Sequence, residues 1–205
     1  MAEAISLAKG SNDMHALAHA LMWAAILGQA ERNPAKVERL ASDLIELSTR
    51  QNFAFWLAQG AILRGWARSA SGQTAEGISW IEDGIRDYRV TGSIIRLPYF
   101  LDLKAEALYL TDRAPEAFEA ITEAKGLVAR TEERWWFAEL HRLRGVCLAA
   151  MGAEETQIEA SLTEAIRIAR EQKSVSLAKR AETTYAEYRG QKASGLGGRG
   201  FRLPL

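Results

Sequence analysis

Apolar residues along the chain recur three or four positions apart, the spacing that gathers them on one face of a helix. They nowhere settle into the two-residue alternation of a strand. Val37, Leu40, Leu44 and Leu47 mark one such face, in a segment opened by Asn33-Pro34, where Asn can cap and Pro fits the first turn. Ile78, Ile81, Ile85 and Tyr88 mark a second, Ala117, Ile121, Ala124 and Val128 behind Pro115 a third, and Ile158, Leu162, Ala165 and Ala169 a fourth. The pattern predicts an all-α fold.

Laid over itself at an offset of 40 residues, the chain repeats. WLAQGAILRG, Trp56 to Gly65, falls on WFAELHRLRG, Trp136 to Gly145, at twice that offset. Leu63, Leu103 and Leu143 coincide, followed by Arg64, Lys104 and Arg144 and then by the small residues Gly65, Ala105 and Gly145. Gly72, Asp112 and Gly152 fall where one helix would turn into the next. A repeat of this length predicts antiparallel helix pairs over 11–29 with 34–50, 53–71 with 74–91, 96–112 with 114–130 and 134–151 with 155–172. A ninth helix over 175–189 would close the stack. The expected architecture is an α-solenoid of tetratricopeptide-like units with a period of about 40 residues, its small residues serving close helix packing. Residues 1–10 read as an N-terminal extension, 11–189 as the repeat domain, and 190–205 as a flexible Gly-rich tail.

Charge removes several classes of function. The 26 basic side chains balance the 26 acidic ones and the pI is about 6.9, so no basic surface for nucleic acid or an anionic membrane is expected. Cys147 is the one cysteine, which excludes an intramolecular disulfide. Glu3, Lys9 and Asp13 interrupt the opening residues, and no stretch approaches the roughly 18 apolar residues of a membrane span. The expected location is the cytoplasm.

Motifs with chemistry are few. Gly195, Gly197 and Gly200 fit G-x-G-x-x-G but lack the strand before and the helix after that would place a pyrophosphate. His15 and His19 stand four apart, yet Ala16 occupies the place of a catalytic Glu and no third ligand follows. Cys147 aligns with Ala67 and Ala107 and reads as a core thiol, while His141 lies too far round its helix to act as a base for it. Trp56 and Trp136 share a repeat position and read as packing residues, with Trp135 partly exposed beside them. No catalytic residue, metal site or cofactor is expected. A hydrolase using Cys147 or the two histidines is the competing enzymatic reading.

The recurring base is the feature with functional weight. Arg64, Lys104 and Arg144 lie about 80° from the core face of each first helix, so stacked units would line them along one flank, joined by Arg68 and His141. Leu57, Leu97 and Phe137 lie beside them. Such a stripe describes a groove for an acidic or amphipathic protein segment. The alternative is that each cation pairs with a neighbouring unit's carboxylate, Glu106 or Glu139 for example, and serves packing alone.

Several of these segments resemble a known family. FWLAQGAILRGWA (55–67), GISWIEDGIRDYRVTG (77–92), PYFLDLKAEAL (98–108), RWWFAELHRLRG (134–145), EAIRIAREQ (164–172) and SLAKRA (176–181) are similar to the tetratricopeptide-like C-terminal region of large bacterial signalling proteins. Those proteins join a class III adenylate or guanylate cyclase, or another output domain, to a P-loop ATPase and then to helical repeats. Their catalytic residues belong to modules with no counterpart here, so none carries over. Departures are Val146, where the family often has Glu, and a shortened closing helix. The resemblance implies a non-enzymatic interaction or sensory module whose partner is a protein or peptide, such as an output domain of that type. A homodimer through an uncapped end is a further expectation. The alternative is a sensor of an anionic metabolite or nucleotide bound by the line of cations.

Overall fold

The structure is a computed structural model that describes residues 2–194. Among these are ten α-helices and no strand: α1 (Ala2–Gly10), α2 (Met14–Ala30), α3 (Pro34–Gln51), α4 (Ala54–Ala70), α5 (Thr74–Val90), α6 (Leu97–Tyr109), α7 (Ala114–Thr131), α8 (Phe137–Ala150), α9 (Glu155–Glu171) and α10 (Val175–Ala193). The all-α fold of paired helices is the one the periodicity predicts. The expected nine helices become ten because residues 2–10, read as an extension, form α1. The closing helix also runs past Arg189 to Ala193, its end tied down by the Lys192–Glu155 ion pair. Residues 195–205, which carry most of the Gly-rich tail and Gly195, Gly197 and Gly200, lie outside the described residues.

The repeat is written into the backbone. Residues 12, 52, 92, 132 and 173 all have positive φ, and so do 32, 72, 112 and 152, so a left-handed residue ends a helix about every 20 positions. Glycine supplies this conformation freely at Gly72, Gly92 and Gly152, and asparagine tolerates it at Asn12 and Asn52. Arg96 alone falls outside this register. Its backbone N–H donates to both carboxylate oxygens of Glu133, at 2.8 and 3.0 Å, which fixes the start of α6.

The described residues form two compact units, divided between Ile94 and Ile95. In the first, α2 pairs with α3 and α4 with α5, α3 packs on α4, α2 stacks on α4, and α1 packs on α2. The α2–α3 turn is fixed by Asn33, whose side chain accepts from Lys36 N–H at 3.0 Å, with Pro34 in the first turn. Helices α4 and α5 meet backbone to backbone. A Cβ at Gly65 would lie 2.6 Å from the Gly77 carbonyl oxygen, and one at Gly77 would lie 2.5 Å from that of Gly65, so only glycine allows this approach.

In the second unit α6 pairs with α7 and α8 with α9, α7 packs on α8, α10 packs on α9, and the first helices α6 and α8 stack. Leu148, Ala149, Ile158 and Leu162 form a core cluster, closed by Phe118, Tyr185 and Tyr188. Cys147 is fully buried beside it in sequence, as Ala67 and Ala107 are at the equivalent positions.

Candidate functional site

The repeated bases are half-buried, and Arg64 and Arg144 each reach the second helices of their own and the preceding helix pair. In the first unit Arg64 Nε donates to Glu38 on α3 at 2.9 Å, and its guanidinium lies 4.8 Å from the centre of the Trp80 ring on α5. Arg68, one turn on, reaches the same Glu38 at 3.5 Å, pairs with Glu76, and lies 5.9 Å from the same indole. Two guanidinium groups thus share one indole and two carboxylates across α3, α4 and α5. The attraction of a cation for the ring's negative face adds to the ion pairs, and the aromatic shelf holds both guanidiniums in place. Trp80 is absent from the sequence-predicted set. Leu57, on α4 with the two bases, is exposed.

In the second unit Arg144 donates to the Ser161 hydroxyl on α9 and lies 5.6 Å from the Phe118 ring on α7. His141, one turn earlier, meets the half-buried Phe137 edge to face at 4.7 Å. Burial, and next the Lys125 ammonium, push the His141 imidazole down to about 4, so it is neutral at pH 7. Lys125 is itself lowered, first by burial and then by Arg144. It is a further cation of this cluster that the repeat did not reveal, because it sits on a second helix. Lys104 is half-buried, and its charge helps to lower Glu116, which Arg113 lowers most. Leu97, expected along the flank, is buried.

Of the carboxylates expected as partners for these bases, Glu106 and Glu139, the second pairs with other cations. Both are buried in the second unit. Glu139 accepts from Arg142 Nε at 3.0 Å and Nη2 at 2.6 Å, and from Arg180 of α10 at 3.0 Å. Arg142 also donates to Thr184 at 3.1 Å. Asp102 accepts from the Trp136 indole N–H at 2.7 Å and is fully buried. Burial, and next the charge of Glu139, hold its carboxyl well above the usual carboxylate range, against the opposing pull of Trp136 and Arg142. This ionic network links α6, α8 and α10. Its sequence signal was available at the repeat offset: Met22, Ile62, Asp102 and Arg142 are spaced by 40 and all fully buried, so two ionisable groups stand where two apolar ones do elsewhere.

The two histidines of α2 do not converge on a metal geometry. His15 stacks on Phe53 at 3.9 Å and accepts from Trp56 at 3.4 Å, whereas His19 accepts from Trp23 at 2.8 Å. Among the described residues no group of three potential ligands could hold a metal ion. Burial pushes the Cys147 thiol up to about 12, which removes it as a nucleophile near neutral pH. No helix of the described residues is long and apolar enough to cross a membrane.

Comparison with known proteins agrees with the architecture. The sequence model of the family described as anaphase-promoting complex subunit 5, a tetratricopeptide-like helical-repeat family, matches residues 1–31 and 129–189. Among the described residues the chain is an all-α stack of repeated helix pairs. It is also similar, at 27% identity over 173 residues, to the uncharacterized protein R02095 of Rhizobium meliloti (strain 1021). That alignment covers 84% of this chain but only 17% of the relative. No solved structure matches the chain.

Proposed function

We propose that the chain is a non-enzymatic protein-interaction module of the cytoplasm, in which the half-buried cations of the first helices receive an acidic segment of a partner. The observation that carries this reading is the pairing of Arg64 and Arg68 over Trp80, an aromatic and guanidinium shelf held in place by Glu38 and Glu76. A partner carboxylate reaching this shelf would meet two guanidiniums already oriented and partly desolvated, which strengthens the contact relative to a fully solvated pair. Lys104, Arg144, His141 and Phe137 would offer the corresponding contacts in the second unit. The match to a family named for a subunit of a protein complex supports an interaction role.

The finer form of the proposal is that the module reports occupancy to an output domain of cyclase or ATPase type, within a longer polypeptide or in a separate one. The resemblance of 55–67, 77–92 and 134–145 to the repeat region of such proteins supports it. The relative of which the chain spans 17% is uncharacterized and supports only the longer-polypeptide form. The purified chain with Mg²⁺ should turn over neither ATP nor GTP. Cyclase or hydrolase activity that survives repurification would overturn the non-enzymatic reading.

One observation favours a second reading, a sensor of a small anion. Lys125, partly buried beside Arg144, forms no hydrogen bond or ion pair among the described residues. Millimolar phosphate or ATP would then raise the melting temperature, and Arg144→Ala together with Lys125→Ala would abolish the rise.

A further inference from the structure

The second unit keeps the repeated base of the first but not the carboxylates that balance it. Moved by two repeat offsets, Arg64 becomes Arg144 and Arg68 becomes the buried Leu148. Glu38, which accepts from Arg64 at 2.9 Å, becomes Phe118, 5.6 Å from the Arg144 guanidinium. The last pair carries one extra residue, since the left-handed turn after Glu132 stands 41 positions on, at Lys173. With that residue counted, Trp80 becomes Ser161 and Glu76 becomes Gln157. The packing has the same register: a Cβ at Gly65 would meet Ile81, and one at Gly145 would meet Leu162. Two guanidiniums share two carboxylates in the first unit, whereas Arg144 pairs with none among the described residues.

A second cation acts beside it. Lys125 of α7 stands at the repeat position of Ile45 and Ile85, is half-buried, and forms no hydrogen bond or ion pair among the described residues. Glu164 of α9, the carboxylate that acts on Lys125, is held by Arg167 through two hydrogen bonds, at 2.7 and 2.6 Å. His141, one turn before Arg144, has its Nδ1 sealed from solvent without a partner. The charges that act on its imidazole are Lys125 of α7, Glu164 and Arg167 of α9, and Arg144 of its own helix. Two like charges held near each other with no anion of their own repel, and a bound anion relieves that repulsion.

We infer that Lys125 and Arg144 bind a phosphate-sized dianion, either inorganic phosphate or the phosphate group of a monoester, where α7, α8 and α9 meet. Ser161 accepts from Arg144 and the Phe118 ring lies against the guanidinium, so the base is oriented before a ligand arrives. A phosphate group carries close to two negative charges at pH 7 and so matches two unpaired cations, where a carboxylate matches one. The inference rests on the small-anion reading and adds the charge of the ligand. It also adds a proton: a bound dianion offsets the cations that keep His141 neutral, so binding draws a proton onto the imidazole.

The test uses the full chain and three probes: sulfate, which stays doubly charged from pH 5 to 7.5, inorganic phosphate, and acetate. Binding is read by calorimetric titration and by the NMR signals of the His141 imidazole, assigned through their loss in His141→Gln. Sulfate and phosphate should bind saturably at millimolar concentration, and acetate about tenfold more weakly or worse. Lys125→Gln should weaken sulfate by about tenfold or more at unchanged melting temperature. Phe118→Glu, which returns a carboxylate to the place of Glu38, should weaken it likewise. Sulfate should bind more tightly at pH 5 than at pH 7.5, by a factor that shrinks in His141→Gln. Acetate bound as tightly as sulfate would overturn the inference and leave the small-anion reading standing. Sulfate binding indifferent to Lys125→Gln would overturn the site. Absence of saturable binding by all three probes would overturn the inference and the small-anion reading together.

Discussion

Arg142 donates two hydrogen bonds to Glu139, three residues earlier on α8, and neither side chain reaches solvent. Such a pair is costly to break, because removing Arg142 takes from the buried Glu139 two hydrogen bonds and a neighbouring charge, leaving it Arg180. Arg142→Met should therefore destabilise the protein by about 3–5 kcal/mol in urea unfolding. Asp102→Asn keeps the acceptor for Trp136 and replaces a carboxyl that burial favours in its neutral form. It should cost no more than about 1 kcal/mol. Equal losses in the two variants would contradict this division of roles.

Two groups should make stability depend on pH in opposite directions. Asp102 is raised in the folded chain above 3.8, so its stabilising contribution is complete below that pH and is lost as pH rises toward its folded value. His141 is lowered from 6.5 to about 4, so its contribution is present above pH 6.5 and is lost as pH falls toward 4. Urea midpoints measured from pH 4 to 8 should show a smaller acid loss in His141→Gln and a smaller alkaline loss in Asp102→Asn. Profiles parallel to the wild type would refute both assignments.

Cys147 is fully buried, with its thiol pushed up to about 12. Ellman's reagent should leave it unmodified in the native chain and modify it fully in denaturant. Rapid native reaction would restore the thiol as a candidate nucleophile.

Gly65 and Gly77 set the α4–α5 distance, since a Cβ on either meets backbone atoms that cannot rotate away. Gly65→Ala should lower stability by about 1–3 kcal/mol or more, by forcing the two helices apart. Gly126, with nothing within 4 Å of an added Cβ and ordinary helical backbone, provides the control. There alanine should stabilise by a few tenths to about 1 kcal/mol.

The repeat made the helix pairs legible, because one period governs both the apolar faces and the left-handed turns at 72, 112 and 152. Helix α1 was not legible. Its nine residues bury only Ala8, and the face that carries Leu7 is open, so no packed apolar stripe marks it. The bases at 64, 104 and 144 were visible as a recurrence, but their partners were not. Glu38 and Trp80 come from other helices, and nothing in the local sequence states which second helix they face. The buried network was hidden for a related reason. A hydropathy pattern counts Asp102, Glu106, Glu139 and Arg142 as solvated, and only their alignment with apolar residues such as Ile62 and Trp66 places them inside.

The central claim is that the chain works by binding another protein through its repeated cations. The most direct measurement is capture from native lysate on the immobilised wild-type chain, run beside the Arg64, Lys104 and Arg144 triple-alanine variant, with the retained proteins identified by mass spectrometry. The account predicts a protein that the wild type retains, that the variant loses at equal folded content, and that salt releases. Identical retention profiles for the two baits would contradict it.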